Sequence, residues 1–178
     1  SAEELDRIAP NNPLLIARCC GHTGAFNTAA LKIGKIDLKT AKNFVEGQVG
    51  IVDEKLTGVL YETAYYHMWN YIEFKEDELI KALEIESNDI VKSGVTSVHD
   101  AGSYGSIIYH AYLKAIECGA FKPRVAPMLF SLLGKENVIR DIKKFISMGL
   151  GPIGNDRIKY GIMKIMIDGG SSIPSCAV

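Results

Sequence analysis

A chain of 178 residues can bury one hydrophobic core, and 47% apolar with 23% charged residues is an ordinary globular mixture. Twenty basic side chains stand against 21 acidic ones, and the net charge of −1, with no basic stripe, offers nothing electrostatic to nucleic acid or an anionic membrane. No apolar run approaches the ~18 residues of a spanning helix, and Ser1-Ala2-Glu3-Glu4-Leu5 lacks the basic start and apolar core of a secretory signal.

The first part of the chain is irregular. Asn11-Asn12-Pro13 signals a turn, and Leu14-Leu15-Ile16-Ala17 reads as a short buried strand. Cys19 and Cys20 follow, adjacent and unable to bridge readily to each other. With Cys118 and Cys176, and no Cys-x-x-Cys, they read as reduced thiols of a cytoplasmic protein. In Gly21-His22-Thr23-Gly24, glycines on either side of a histidine allow a tight turn that exposes the imidazole, although the pattern also suits a plain turn. Arg18 suits a carboxylate clamp or a surface salt bridge. Asn27 is placed to cap a short helix through Ala30 and Ile33. Residues 34–58 show little periodicity and read as loops and short strands. Leu60 to Tyr71 carries Tyr61, Tyr65, Tyr66, Trp69 and Tyr71, as a packed helix or a connection over a pocket would.

From Lys75 the pattern becomes regular. Leu79, Ile80, Leu83, Ile90 and Val91 predict a helix over 76–93, stopped by Gly94. Val95 to His99 is β-branched and strand-like, with His99-Asp100 at its end before a turn at Ala101-Gly102-Ser103. Ile107, Ile108, Ala111, Tyr112, Ala115 and Ile116 form a helical stripe closed by Gly119. Arg124 to Phe130 reads as a strand, 138–146 as a further helix closed by Gly149, and Arg157 to Ile167 as the last strand. Helical crossovers between strands imply parallel pairing, in a doubly wound sheet or part of a (β/α)8 barrel. In the last strand, alternation puts Lys164 and Asp168 on one face, which favours a barrel interior over a sheet covered by helices on both sides. Barrel chemistry sits at such strand ends.

Several residues are candidates for chemistry. Lys164, costly to bury as an isolated cation, has four outlets: pairing with Asp168, snorkelling to solvent, a lowered pKa, or a carbamate formed with CO2. His99 suits a metal ligand, a proton shuttle, a substrate contact or a satisfied structural histidine. His67 and His110 lack ligand-spaced partners and are assigned to structure. No phosphate loop, dinucleotide fingerprint or nucleophilic serine motif occurs, which disfavours nucleotide-dependent enzymes and serine hydrolases.

Four segments in order resemble one family: the run from Arg18 to Leu31 (R-x-x-G-H … N-x-x-A-L), Thr57 to Glu62 (G-x-L-x-E), Gly94 to Gly102, and Met163 to Gly170. They resemble the third family of the amidohydrolase superfamily and are similar to N-substituted formamide deformylases. The resemblance implies a metal-dependent hydrolase of non-peptide carbon–nitrogen bonds in amides, formamides or cyclic amides, in which metal-activated water attacks the carbonyl. It implies a partial TIM barrel, with 1–74 an irregular α+β segment and 75–178 the βα units. Lys164 matches the carboxylated lysine that holds the metal, zinc by family habit. His99 and Asp168 take catalytic roles, and His22 with Arg18 substrate-binding ones. No His-x-His occurs in the chain, so the resemblance implies an internal piece of a larger enzyme, inactive by itself, bearing metal only in the full-length parent. The partner expected is a small amide-type substrate, with no nucleic acid and no membrane; unpaired strand edges would favour a homodimer. The contrasting expectation is a non-catalytic doubly wound binding or oligomerisation domain.

Overall fold

The computed structural model describes residues 1–44, 47–130, 139–140, 142–143, 146–147 and 154–164. The predicted helix over 138–146 lies mostly outside them, and Asp168 lies wholly outside. The chain divides into two compact units, Ser1–Glu73 and Phe74–Ile165.

The first unit is built on a four-stranded antiparallel sheet in the order β1-β2-β4-β3, from β1 (Leu15–Ala17), β2 (Thr23–Phe26), β3 (Gly47–Val52) and β4 (Lys55–Tyr61). Three helices accompany it: α1 (Ala2–Ile8), α2 (Thr28–Ile33) and α3 (Glu62–Met68). Asn27 begins α2 as expected and does more than cap. Fully buried, its Oδ1 accepts from Ala30 N and Leu14 N, both at 2.9 Å, while its Nδ2 donates to Ala9 O (2.7 Å) and Asn12 O (2.8 Å). One side chain thus ties β2, α2 and the turn before β1, with its polar capacity filled.

The region read as loops and short strands over 34–58 contains most of the β3–β4 hairpin. Its ladder runs Val49↔Leu60 and then Ile51↔Leu56, so β4 accommodates extra residues opposite Gly50. Gly58 lies in that bulge with φ +85, and a Cβ there would come within 2.3 Å of Phe26 O and 2.8 Å of Ala2 Cβ. Only glycine suits both the conformation and the close approach of α1. Leu60 beyond the bulge is fully buried, a gain of roughly 1.5–3 kcal/mol for such a side chain. The aromatic stretch resolves into α3 and a 3-10 turn over Trp69–Tyr71. Tyr65, 2% exposed, packs against Phe26, Tyr66 and Trp69 at ring-centroid distances of 5.4–6.1 Å. His67 proves structural: its Nε2 lies 2.9 Å from Gly34 O, and its ring meets those of Phe44 and Tyr71.

The second unit is mixed α/β, with a parallel three-stranded sheet in the order β5-β6-β7, from β5 (Ser97–Tyr104), β6 (Arg124–Phe130) and β7 (Ile162–Lys164). Helix α4 (Glu76–Lys92) precedes it, and α5 (Gly105–Glu117) makes the crossover from β5 to β6. Acidic Glu76, Asp77 and Glu78 fill the first turn of α4, where the helix dipole favours negative charge. Leu79, Ile80, Leu83 and Ile90 pack inward on Ala111, Tyr112, Ala115, Phe121, Val125 and Ile158. Val91, assigned to the same stripe, is instead 44% exposed, and Ile107 of α5 is 39% exposed. Each lies at the margin of a stripe, where the 3.6-residue repeat turns it toward solvent. Tyr109 is fully buried, and its hydroxyl donates to Pro127 O at 3.0 Å, anchoring α5 to β6.

Two strand boundaries differ from expectation. Strand β5 does not stop at His99 but continues to Tyr104, and its ladder with β6 shifts register between Asp100 and Ser103. The predicted turn at Ala101-Gly102-Ser103 is therefore a bulge inside a strand. Asp100 organises it: its Oδ1 accepts from Gly102 N (3.0 Å), and its Oδ2 accepts from Ser103 Oγ (2.7 Å) and Tyr112 Oη (3.1 Å). In the last predicted strand, 157–161 carries only isolated bridges, and the ladder proper begins at Ile162.

Candidate functional site

Strand register places the candidates of the second unit. Val98 packs on the helical core, so His99, next along β5, faces the opposite side of the sheet. His99 is level with Ala126, and Lys164 with Phe130. Ala126, Met128 and Phe130 share a face of β6, so His99 and Lys164 share it too. They are nonetheless apart: four residues along the strand and two strand spacings across amount to about 16 Å. The position of β5 level with Lys164 is Tyr104, through Phe130. Lys164 Nζ stands 5.0 Å from the centre of the Phe130 ring, a cation–π distance. Asp100, by contrast, turns to Tyr112 on the helical side and serves the bulge.

Among the described residues, no group of three or more His, Cys, Asp or Glu side chains could hold a metal ion. Lys164 with an aromatic ring beneath it is at most one ligand of a larger set. The described residues therefore do not by themselves fit a metal centre.

The first unit carries a more organised cluster. Arg18 to Gly21 form the turn joining β1 to β2, with Gly21 N donating to Arg18 O and Arg18 N to Thr23 O, both at 3.0 Å. Gly21 has φ +73, and nothing stands where its Cβ would be. Arg18 is exposed, with no ion pair among the described residues. His22 turns inward. Its Nδ1 lies 3.0 Å from Glu62 Oε2 and 2.9 Å from Tyr66 Oη, and its ring meets that of Tyr66 edge-on. The imidazole is 18% exposed and the Glu62 side chain 14%, so their interaction is shielded from bulk water. The backbone reinforces it, because Glu62 N donates to His22 O at 2.9 Å.

Glu62 holds this place at a cost: its φ of +47 is left-handed, a conformation that disfavours a side chain with a Cβ. Beneath the cluster, burial raises the Tyr65 phenol above its ordinary range, opposed by a hydrogen bond to Trp69. Glu62 stands in the G-x-L-x-E segment and Tyr66 in the aromatic stretch, yet neither has a role assigned by the sequence patterns. Their partner is 40 and 44 residues away, and only the β2–β4 pairing brings them together.

The chain belongs to the amidohydrolase family, whose profile matches residues 1–177. It is 34% identical over 103 residues to the N-substituted formamide deformylase of Arthrobacter pascens, covering 55% of this chain and 19% of that protein. It is 28% identical over 173 residues to the putative amidohydrolase YtcJ of Bacillus subtilis (strain 168), covering 93% of this chain and 30% of that one. Its fold matches an uncharacterized metal-dependent hydrolase from Pyrococcus horikoshii with a TM-score of 0.62 at 16% identity, over 96% of this chain and 31% of that one. A metal-dependent hydrolase from Pyrococcus furiosus matches at a TM-score of 0.61 and 17% identity. The chain thus spans 19% and 30% of these two curated relatives.

Proposed function

We propose that the whole protein is a metal-dependent hydrolase of non-peptide carbon–nitrogen bonds in small amide-type substrates, and that this chain supplies part of its barrel. The carrying observation is the family match across residues 1–177; the likeness to metal-dependent hydrolases supports the fold. The parallel sheet β5-β6-β7 with its α5 crossover is the architecture a (β/α)8 barrel repeats. In this reading Lys164 is the metal ligand that the chain contributes, carboxylated when zinc is bound. His99 and Asp168 serve catalysis, and His22 with Arg18 contacts substrate. Supplying too few ligands, the chain alone is inactive, and its open strand edges favour a homodimer. The free thiols of Cys19, Cys20 and Cys118 support a cytoplasmic setting.

The test is metal content and amide hydrolysis of the whole protein with and without Lys164→Ala. Loss of metal and activity together supports the reading. Retention of both removes Lys164 from the metal site.

A further inference from the structure

His22, Glu62 and Tyr66 form a shielded polar cluster within the first unit, and its geometry specifies more than contact. Both partners meet the same ring nitrogen, Nδ1, at 3.0 Å and 2.9 Å. A carboxylate oxygen can only accept, so at 3.0 Å it requires a proton on Nδ1. In the neutral ring that leaves a lone pair on Nε2, and Nε2 has no partner among the described residues. The His22 side chain is 18% exposed, so part of the ring reaches solvent. The same residue that receives the Nδ1 proton also holds the His22 carbonyl through its backbone N–H, and does so from a left-handed φ of +47. Strained backbone of this kind persists where the surroundings over-determine it, and it gathers at functional sites.

We propose that Glu62 is a positioning residue that fixes His22 in its Nδ1-protonated form, so that Nε2 accepts a hydrogen bond from the N–H of an amide-class ligand. The choice of ligand rests on the hydrolase reading; the tautomer does not. Tyr66 closes the far side of the ring, its hydroxyl sharing Nδ1 and its edge-on ring limiting rotation. Glu62 touches no ligand in this scheme and acts through His22.

Ring-nitrogen chemical shifts of the histidine-labelled chain, above the titration range of imidazole, test this, with the His22 signal assigned by its loss in His22→Gln. The expected spectrum shows Nδ1 protonated and Nε2 bare in the wild type. In Glu62→Leu no carboxylate acceptor remains, the Tyr66 hydroxyl donates to Nδ1 and the proton moves to Nε2. Tyr66→Phe keeps the wild-type pattern, because the carboxylate remains; it also serves if Glu62→Leu does not fold. A wild-type ring protonated on Nε2, or Nδ1 protonation that survives in folded Glu62→Leu, overturns the proposal. In the whole protein, Glu62→Leu should lower kcat/KM for an amide substrate by roughly 10- to 100-fold, as removal of an orienting partner typically does. Unchanged kcat/KM would overturn the functional half. A whole protein that hydrolyses no amide while His22 keeps the expected tautomer would sink the hydrolase reading and leave the positioning role standing.

Discussion

Asp100 should be among the costliest residues of the second unit to replace, and Asp100→Ala tests the account of the β5 bulge. Its carboxylate accepts three hydrogen bonds, from Gly102 N, Ser103 Oγ and Tyr112 Oη. Bonds to a charged group are worth ~1.5–3 kcal/mol each in mutational series, and they do not add fully. Ser103 is 1% exposed and Tyr112 6%, so the truncated site strands two hydroxyls out of reach of water. We expect Asp100→Ala to cost about 3–4 kcal/mol, near the upper end for single substitutions. Asp100→Asn keeps one acceptor oxygen and the shape, and should cost about half as much. Tyr112→Phe removes a donor together with its need for a partner, and should cost ~1 kcal/mol. The assay is urea unfolding followed by amide exchange in β5 and α5. Trp69, the single tryptophan, lies in the first unit and its fluorescence reports on the wrong half. A cost under ~1 kcal/mol for Asp100→Ala, or an equal cost for Asn and Ala, would refute the claim that these three bonds hold the bulge.

Other consequences can be checked alongside it. Gly58→Ala forces a side chain into a left-handed conformation costing ~1–2 kcal/mol and drives its Cβ against backbone. Trp69 fluorescence in urea should show at least that loss, and an unchanged midpoint would contradict the close approach of α1. Burial raises the phenols of Tyr109 and Tyr112 above their ordinary value of 10.0, and pushes Tyr160 up to about 12, its hydroxyl buried with no partner among the described residues. Because the folded values exceed the unfolded ones, this contribution is whole below pH ~10 and is lost as pH rises toward the folded values. Phenolate absorbance of these three should therefore appear with unfolding, not at the ordinary tyrosine pH.

The regular elements of the second unit were legible because each follows a single period. The stripes of α4 and α5 and the apolar run of β6 lie within a residue or two of the predicted bounds. Strand β5 was not legible past His99. Ala101-Gly102-Ser103 has turn composition, and only the carboxylate of Asp100, bonded to a helix twelve residues on, lets the strand continue through it. That difference matters to the site. The longer strand brings Tyr104 to the level of Lys164 and leaves His99 about 16 Å from it. Short strands were expected over 34–58, but the bounds and pairing of β3 and β4 were hidden for a related reason: the bulge at Gly58 breaks the alternation that marks a strand.

The site in the first unit shows where local reading must stop. His22 could be picked out, because glycines flank it. Glu62 could not be given its role, since nothing local announces that a glutamate at the start of a helix adopts a left-handed φ. A glycine or asparagine would take that conformation at less cost. Selection for stability alone would favour one, so a glutamate there needs another reason, and the carboxylate on His22 Nδ1 supplies it. Glu62→Gly separates the two contributions: it relieves the backbone while deleting the acceptor. If the carboxylate served stability alone, the variant should unfold at lower urea than the wild type. If it serves His22, the loss of strain should offset much of the lost hydrogen bond, and the unfolding free energy should stay within ~1 kcal/mol of the wild type while the tautomer changes.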